Sequence, residues 1–147
     1  MPRETILILD PELNTQWPLK TLLENEDYNV IPVNTVEKAR KKFSEFEVSG
    51  LITEYWINHS STLEAVRGFK KAFPEAYVMF LTHGELKESE YEEIIDAGAD
   101  DFFLKPFPSK KILLHLRKGL KQRQNLLQKK RLADQLKRTS STLKYPG

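Results

Sequence analysis

The feature that most constrains this chain is an alternation. Five short apolar runs, residues 6–9, 28–33, 50–53, 77–82 and 101–104, are separated by stretches whose apolar residues recur at helical spacing. Runs of four to six residues suit strands buried on both faces, and strands that alternate with helices build a parallel sheet. The fold class is therefore α/β, with a doubly wound five-stranded parallel sheet covered by helices. In such sheets function collects at the carboxyl ends of the strands. Here those ends are Asp10, Glu54, Thr82 and Lys105.

The segments between the runs carry helix signals. After Pro11 the pattern Trp17, Leu19, Leu22 and Leu23 predicts a helix, with Pro18 in or near its first turn unless it kinks the helix. Asn34 followed by Glu37 resembles a capping box ahead of Ala39, Phe43 and Phe46, and Ser61 with Glu64 does the same ahead of Leu63, Val66 and Phe69. An acidic helix is expected over residues 85–97, with Tyr91, Ile94 and Ile95 inward. Ser109 is expected to cap a last helix from Lys110 to about Lys137. Pro32 in the second run suits an edge strand.

At this point the chain resembles a two-component receiver domain of the CheY-like, flavodoxin-like type, with strand order 2-1-3-4-5. The resemblance spans residues 4–120. Its strongest piece is the run from Asp96 through Asp100, Asp101, Phe102 and Lys105 to Pro106 and Phe107, supported by the spacing of Ile6–Asp10, Leu51–Glu54 and Val78–Thr82. Receiver domains accept a phosphoryl group on an Asp with the help of Mg²⁺. Position by position, the resemblance places Asp10 on the first of two acids after strand one and Glu54 on the phosphoacceptor. It places Thr82 on the hydroxyl that meets the phosphoryl group, Phe102 on a switch aromatic and Lys105 on its cationic partner, with a cis bond to Pro106.

Two matches depart from that pattern, and both fall on the chemistry. Pro11 stands where the family has its second acid and supplies no side-chain oxygen for an octahedral cation. Glu54 keeps a carboxylate one methylene further out, displaced from in-line attack geometry. The expectation is no phosphorylation by the Asp and Mg²⁺ route, Mg²⁺ binding weak or absent, and Glu54 facing Lys105 as a partial stand-in for a phosphoryl group. Asp10 tends to raise a neighbouring carboxyl pKa, and Lys105 opposes it. Thr82 and Phe102 also have a plain reading as strand-end and core residues. His59, His83 and His115 are scattered and read as loop or helix-surface residues, so no metal site is expected.

Charge supplies the second constraint. The 147 residues carry a formal net charge of +2, which hides +11 over residues 108–147 and −9 over residues 1–107. The chain divides into a receiver-like body, 1–120, and a basic helical extension, 121–147, leading towards an output domain. Leu120 and Leu127 share one heptad phase and Leu136 and Leu143 another, so a dimerising helix and a plain linker both stay open. The expected dimer face sets Glu88, Glu92, Asp100 and Asp101 of one copy against Lys111, Arg117 and Lys118 of the other. Nucleic-acid binding through the tail is a further alternative, weakened by a single aromatic, Tyr145, and the lack of a reader motif.

The absence of Cys excludes disulfides, zinc-thiolate sites and thiol nucleophiles. No Gly-rich phosphate cradle occurs, nor an apolar run near the ~20 residues of a membrane span, and no signal peptide is read. These patterns describe a cytoplasmic regulatory module, not an enzyme. It is expected to work as a homodimer with a histidine kinase or an output domain as partner, and without cofactor. A phosphorylation-competent receiver is the alternative.

Overall fold

The computed structural model describes residues 3–144, with side chains through residue 140. The elements run β1 (Thr5–Leu9), α1 (Leu13–Glu24), β2 (Asn29–Val33), α2 (Val36–Glu45), β3 (Gly50–Thr53), β4 (Trp56–Ile57), β5 (Ser60–Ser61), α3 (Leu63–Ala72), β6 (Tyr77–Thr82), α4 (Glu88–Asp96), β7 (Asp101–Leu104) and α5 (Ser109–Lys144). The five-stranded sheet has the order β2-β1-β3-β6-β7, all neighbours parallel, which is the expected 2-1-3-4-5 once the small hairpin is set aside. Pro32 lies in edge strand β2, where its missing N–H breaks no ladder.

Because side chains alternate along a strand, each strand feeds two cores. Leu7, Leu9, Leu51, Val78 and Phe80 point to the face covered by α2, α3 and α4, where they meet Ala39, Val66, Phe69 and Ile94. Ile6, Ile8, Ile52, Met79 and Leu81 point to the other face and meet Leu19 and Leu23 of α1 and Ile112, Leu116 and Leu120 of α5. Both faces are dry, which is why the sequence shows continuous apolar runs.

Several local expectations are corrected. Trp17 and Ile95 are exposed, because the inward stripes of their helices are Leu19 with Leu23, and Ile94. Pro18 lies in the second turn of α1. The cap of α2 is Thr35, whose Oγ1 accepts from Lys38 N at 3.2 Å, not Asn34. Thr62, not Ser61, precedes α3, and its hydroxyl is used elsewhere. The acidic helix starts at Glu88, where Lys87 N donates to the Glu90 carboxylate at 2.8 Å. Ser109 is the first helical residue, with Ile112 N bonded to Pro108 O. The β4–β5 hairpin was not foreseen. Its two-residue turn, Asn58-His59, has positive φ at both positions, the turn type that matches strand twist.

Helix α5 is continuous across residue 120 and runs antiparallel to the strands. Gly119 is required there because a Cβ would penetrate the ring of Tyr77, which is itself buried. Past the core the helix is held by charge. Arg123, 8% exposed, pairs with Glu4 at 3.4 Å and Glu47 at 3.1 Å, Gln124 bonds Glu4, and Lys130 pairs with Glu75. Leu126, Leu132 and Leu136 are exposed. The side chain of Leu143 and all of Tyr145 lie outside the described residues.

Buried phenols make a pH prediction. Burial, reinforced by the Asp101 carboxylate, pushes the Tyr77 phenol above its ordinary value, and burial does the same for Tyr55 and Tyr28. A group that binds its proton more tightly when folded loses its stabilising contribution as pH rises through the folded value. Stability should therefore fall above about pH 10, by up to ~1.4 kcal/mol per pH unit for Tyr77. Urea unfolding from about pH 8 to pH 11 checks this, and a flat profile would refute it.

Candidate functional site

The site grows directly out of the parallel ladder. Strands β1, β3 and β7 each extend their pairing by one residue: Asp10 N bonds Val33 O at 3.1 Å, Glu54 N bonds Leu9 O at 2.9 Å and Lys105 N bonds Thr82 O at 2.7 Å. The backbones of Asp10, Glu54 and Lys105 are thus held rigidly at the carboxyl ends of their strands. Thr82 ends β6 beside them. Gln16, buried in α1, donates to Asp10 O at 2.5 Å and Val33 O at 2.8 Å, which ties the helix to the ends of β1 and β2. Thr62 donates to Glu54 O at 2.7 Å and fixes the turn after β3.

Three charged side chains converge. Lys105 Nζ lies 2.7 Å from Asp10 Oδ2 and 2.8 Å from Glu54 Oε2, and all three side chains are nearly or fully buried. The remaining oxygen of Asp10 accepts from Glu12 N at 2.8 Å. The other oxygen of Glu54 accepts from the Thr82 hydroxyl and from Tyr55 N, the latter at 2.8 Å, so the longer side chain curls back over its own backbone. His83 Nδ1 is 3.3 Å from Glu54 Oε2 and 3.8 Å from Glu12 Oε1. Glu12 itself is 3.7 Å from Lys105.

Electrostatics separates the two acids. Burial pushes the Asp10 carboxyl up; Lys105 and the Glu12 N–H work against it, but the nearby Glu54 charge adds to the rise, so its pKa is raised. Burial also pushes Glu54 up, but the Lys105 and Thr82 hydrogen bonds, the Lys105 charge and Tyr55 N–H outweigh it and hold Glu54 below the ordinary glutamate range. Lys105 is held above its usual value because two carboxylates outweigh its desolvation. The cluster therefore keeps Glu54 ionised and Lys105 charged.

As a cation site the set is incomplete. Asp10 and Glu54 could present oxygens and Glu12 lies at the rim, 3.7 Å from Lys105; Pro11 offers none, and the Lys105 ammonium occupies the point between the Asp10 and Glu54 carboxylates. Among the described residues no three acids or histidines are grouped to hold a metal. These residues do not fit the octahedral oxygen shell that Mg²⁺ takes. A cleft of about 350 Å³ beside Glu54 is lined by Tyr55, Trp56, Thr82, His83, Glu85, Leu86 and Glu90.

The structure thus brings Asp10, Glu54, Thr82 and Lys105 together, with the Lys105–Pro106 bond cis. Thr82 does more than end a strand, since it is bonded to Glu54. Phe102 stands apart, half-buried, with its ring edge-on to Tyr91 at 5.0 Å. On the expected dimer face, Glu88, Glu92, Lys111 and Lys118 are exposed. Three others are engaged within the chain: Asp100 accepts from Val78 N at 2.8 Å, Asp101 from Tyr77 and from His115 at 3.0 Å, and Arg117 pairs with Glu26 at 3.5 Å. His83 corrects the sequence reading, because it joins the site and does not merely turn a loop. Gln16, Thr62 and Glu12 were also missed, and only the local sequence following strand one hinted at Glu12.

Comparison with known proteins agrees with this geometry. The response regulator receiver domain family matches residues 6–117. Aerobic respiration control protein ArcA of Escherichia coli (strain K12) is 28% identical over 123 residues, covering 82% of this chain and 50% of that protein. A putative response regulator NtrX-like of Rickettsia typhi is 28% identical over 155 residues, covering 99% of this chain and 32% of that protein. The chain therefore spans half or less of these relatives. Among solved structures, a CheY-like response regulator receiver domain protein from Methanospirillum hungatei superposes with a TM-score of 0.79 at 20% identity, covering 84% of this chain and 98% of that one. With its sheet order, its strand-end cluster and this match over most of its length, the chain belongs to the response regulator receiver domain family.

Proposed function

We propose that this chain is an atypical receiver module of a longer response regulator, one that does not take a phosphoryl group by the Asp and Mg²⁺ route and signals through protein contacts. Receiver domains are signalling modules, and the two relatives named above by sequence are longer regulators, of which the match covers 50% and 32%. The observation that carries the reading is the Glu54 carboxylate itself. It already bonds the Thr82 hydroxyl and the Lys105 ammonium, the two groups that the family resemblance assigns to an incoming phosphoryl group. Its imitation is partial, since a carboxylate brings one charge where a phosphoryl group brings about −1.5 to −2.

In this reading the body, residues 1–120, carries the fold and the cluster, and the basic extension, 121–147, leads to the output domain and supports self-association. A histidine kinase is then a docking partner, not a phosphate source. Among the described residues no helix is long and apolar enough to cross a membrane. Incubation with a small phosphodonor and Mg²⁺ should give no saturable labelling. Mg²⁺-dependent labelling at Glu54 would instead establish a working phosphoacceptor.

A further inference from the structure

Among the described residues Arg123 is the one arginine or lysine that the fold buries outside the strand-end cluster, 8% exposed. Its guanidinium reaches Glu4 at 3.4 Å with one nitrogen and Glu47 at 3.1 Å with the other. Gln124 donates to the second oxygen of Glu4 at 2.6 Å. One face further on, Lys130 pairs with Glu75, and this bond holds the Glu75 carboxyl below its ordinary range. The three acids stand just ahead of β1, β3 and β6, which are neighbours in the sheet. A row of carboxylates thus lies at the amino ends of the same strands whose carboxyl ends carry Asp10, Glu54 and Thr82.

Seven residues make about two helical turns, so Arg123 and Lys130 share one face of α5. That face continues the buried stripe of Leu116 and Leu120 through Leu127, which is half-buried. The next residue on it is Asp134, exposed and the one acid in residues 108–147. An acid there would meet a carboxylate row with like charge, so docking stops between Lys130 and Asp134. The contact also changes in kind along the helix. Up to Leu120 it is made by apolar side chains out of water; from Lys121 to Lys130 it consists of ion pairs and one half-buried leucine, with Leu126 exposed. A segment with few buried apolar contacts opens at a lower free energy than the core it adjoins. Ion pairs that reach solvent, as those of Glu47 and Lys130 do, weaken with salt.

We propose that residues 121–130 are an ionic latch: Arg123 and Lys130 dock α5 on the carboxylate row at the amino ends of β1, β3 and β6, and this segment opens as a unit of its own while the sheet stays folded. Closed, the latch fixes the direction in which α5 leaves the body, and with it the position of whatever follows the helix. Open, it frees everything after Leu120 to reorient. Residues 121–130 are then a separate tier between the apolar body and the extension, held by charge and released by ionic competition. The latch does not depend on whether Glu54 accepts a phosphoryl group, because latch and cluster lie at opposite ends of the same strands.

The test is amide hydrogen exchange of the full chain, followed residue by residue. At low salt the amides of residues 124–130 should exchange at least about tenfold more slowly than those of residues 134–140. Raising the salt from about 0.05 M to about 0.5 M should narrow that step while β1, β3 and β6 keep their protection. Arg123→Glu should abolish the step, and adding Glu4→Arg with Glu47→Arg should restore it, because the pairs are rebuilt with their signs exchanged; the recovery also shows that the loss is not misfolding. Protection that falls smoothly from Leu120 and ignores Arg123→Glu overturns the latch, and so does a reversed set of charges that restores nothing. A loss in Arg123→Glu that runs equally through the sheet overturns it too, since Arg123 would then belong to one cooperative core. So does protection of residues 124–130 that grows with protein concentration, since a second copy and not the chain's own carboxylates would supply it.

Discussion

Replacing Lys105 with Met should destabilise the protein by about 3–5 kcal/mol at neutral pH, the cost of leaving buried charge unpaired. Among the described residues Lys105 is the one cation bonded to both Asp10 and Glu54, at 2.7 and 2.8 Å, and its side chain is 9% exposed. Without it, two carboxylates face each other in a dehydrated pocket. The loss should also reverse the pH dependence contributed by Glu54, whereas Asp10, already raised in the wild type, keeps the sign of its contribution. In the wild type Glu54 titrates below its ordinary value, so its contribution is present above about pH 4 and lost as pH falls through the folded value. In the variant, burial and mutual repulsion raise both acids, so their contribution is present at about pH 4 and lost as pH rises. Urea unfolding at about pH 4.5 and pH 7 separates the two. Should the variant fail to fold at neutral pH, adding Glu54→Gln removes one of the stranded charges and should recover part of the loss. An unchanged stability in Lys105→Met would mean that the triad is not formed.

The second large effect is a gain. Pro11→Asp combined with Glu54→Asp should create saturable Mg²⁺ binding, at least about tenfold tighter than in the wild type, or ~1.4 kcal/mol. Pro11 is exposed at the bend after Asp10, so a carboxylate there meets no steric obstacle. Shortening residue 54 withdraws its carboxylate from the Tyr55 N–H and Thr82 and opens room beside Asp10. The pocket would then hold three carboxylates against one ammonium, a charge balance that favours a divalent cation. Calorimetric titration measures it. No gain would show that this pocket cannot be rebuilt into a cation site, and the explanation offered for the wild type would fall.

Much of the fold was legible because it is local. Five runs buried on both faces stand out as apolar segments, and the inward positions of α1, Leu19 and Leu23, recur at helical spacing. Where a second apolar residue fell near the stripe, as with Trp17 and Ile95, spacing alone did not say which of two neighbours turns inward; the packing of Leu19 and Ile94 decided it. Helix starts were displaced by one residue at Thr35 and Thr62, since polar side chains at adjacent positions offer the same local signal, and the last helix opens on the backbone carbonyl of Pro108. In the site, Asp10, Glu54, Thr82 and Lys105 were found by position at strand ends. Gln16, Thr62 and His83 carry no such mark, because each acts through a bond to a residue distant in sequence or to a backbone carbonyl.

The alternation of runs and helices by itself determined an α/β chain with function at the strand ends, because side-chain periodicity and burial on both faces are properties of consecutive residues. The charge split and the two leucine phases of α5 were equally visible. Only the tertiary structure decided which charges are spent. Lys105 reaches Asp10 across 95 residues, and Arg123 reaches Glu4 across 119. Coulomb energy and desolvation depend on distance and burial, which the order of residues does not contain. The same closure that set two acids around one buried ammonium docked the first half of α5 on its own body through Arg123 and Lys130, so a near-neutral composition was divided between a charged strand-end pocket and a helix held by ion pairs.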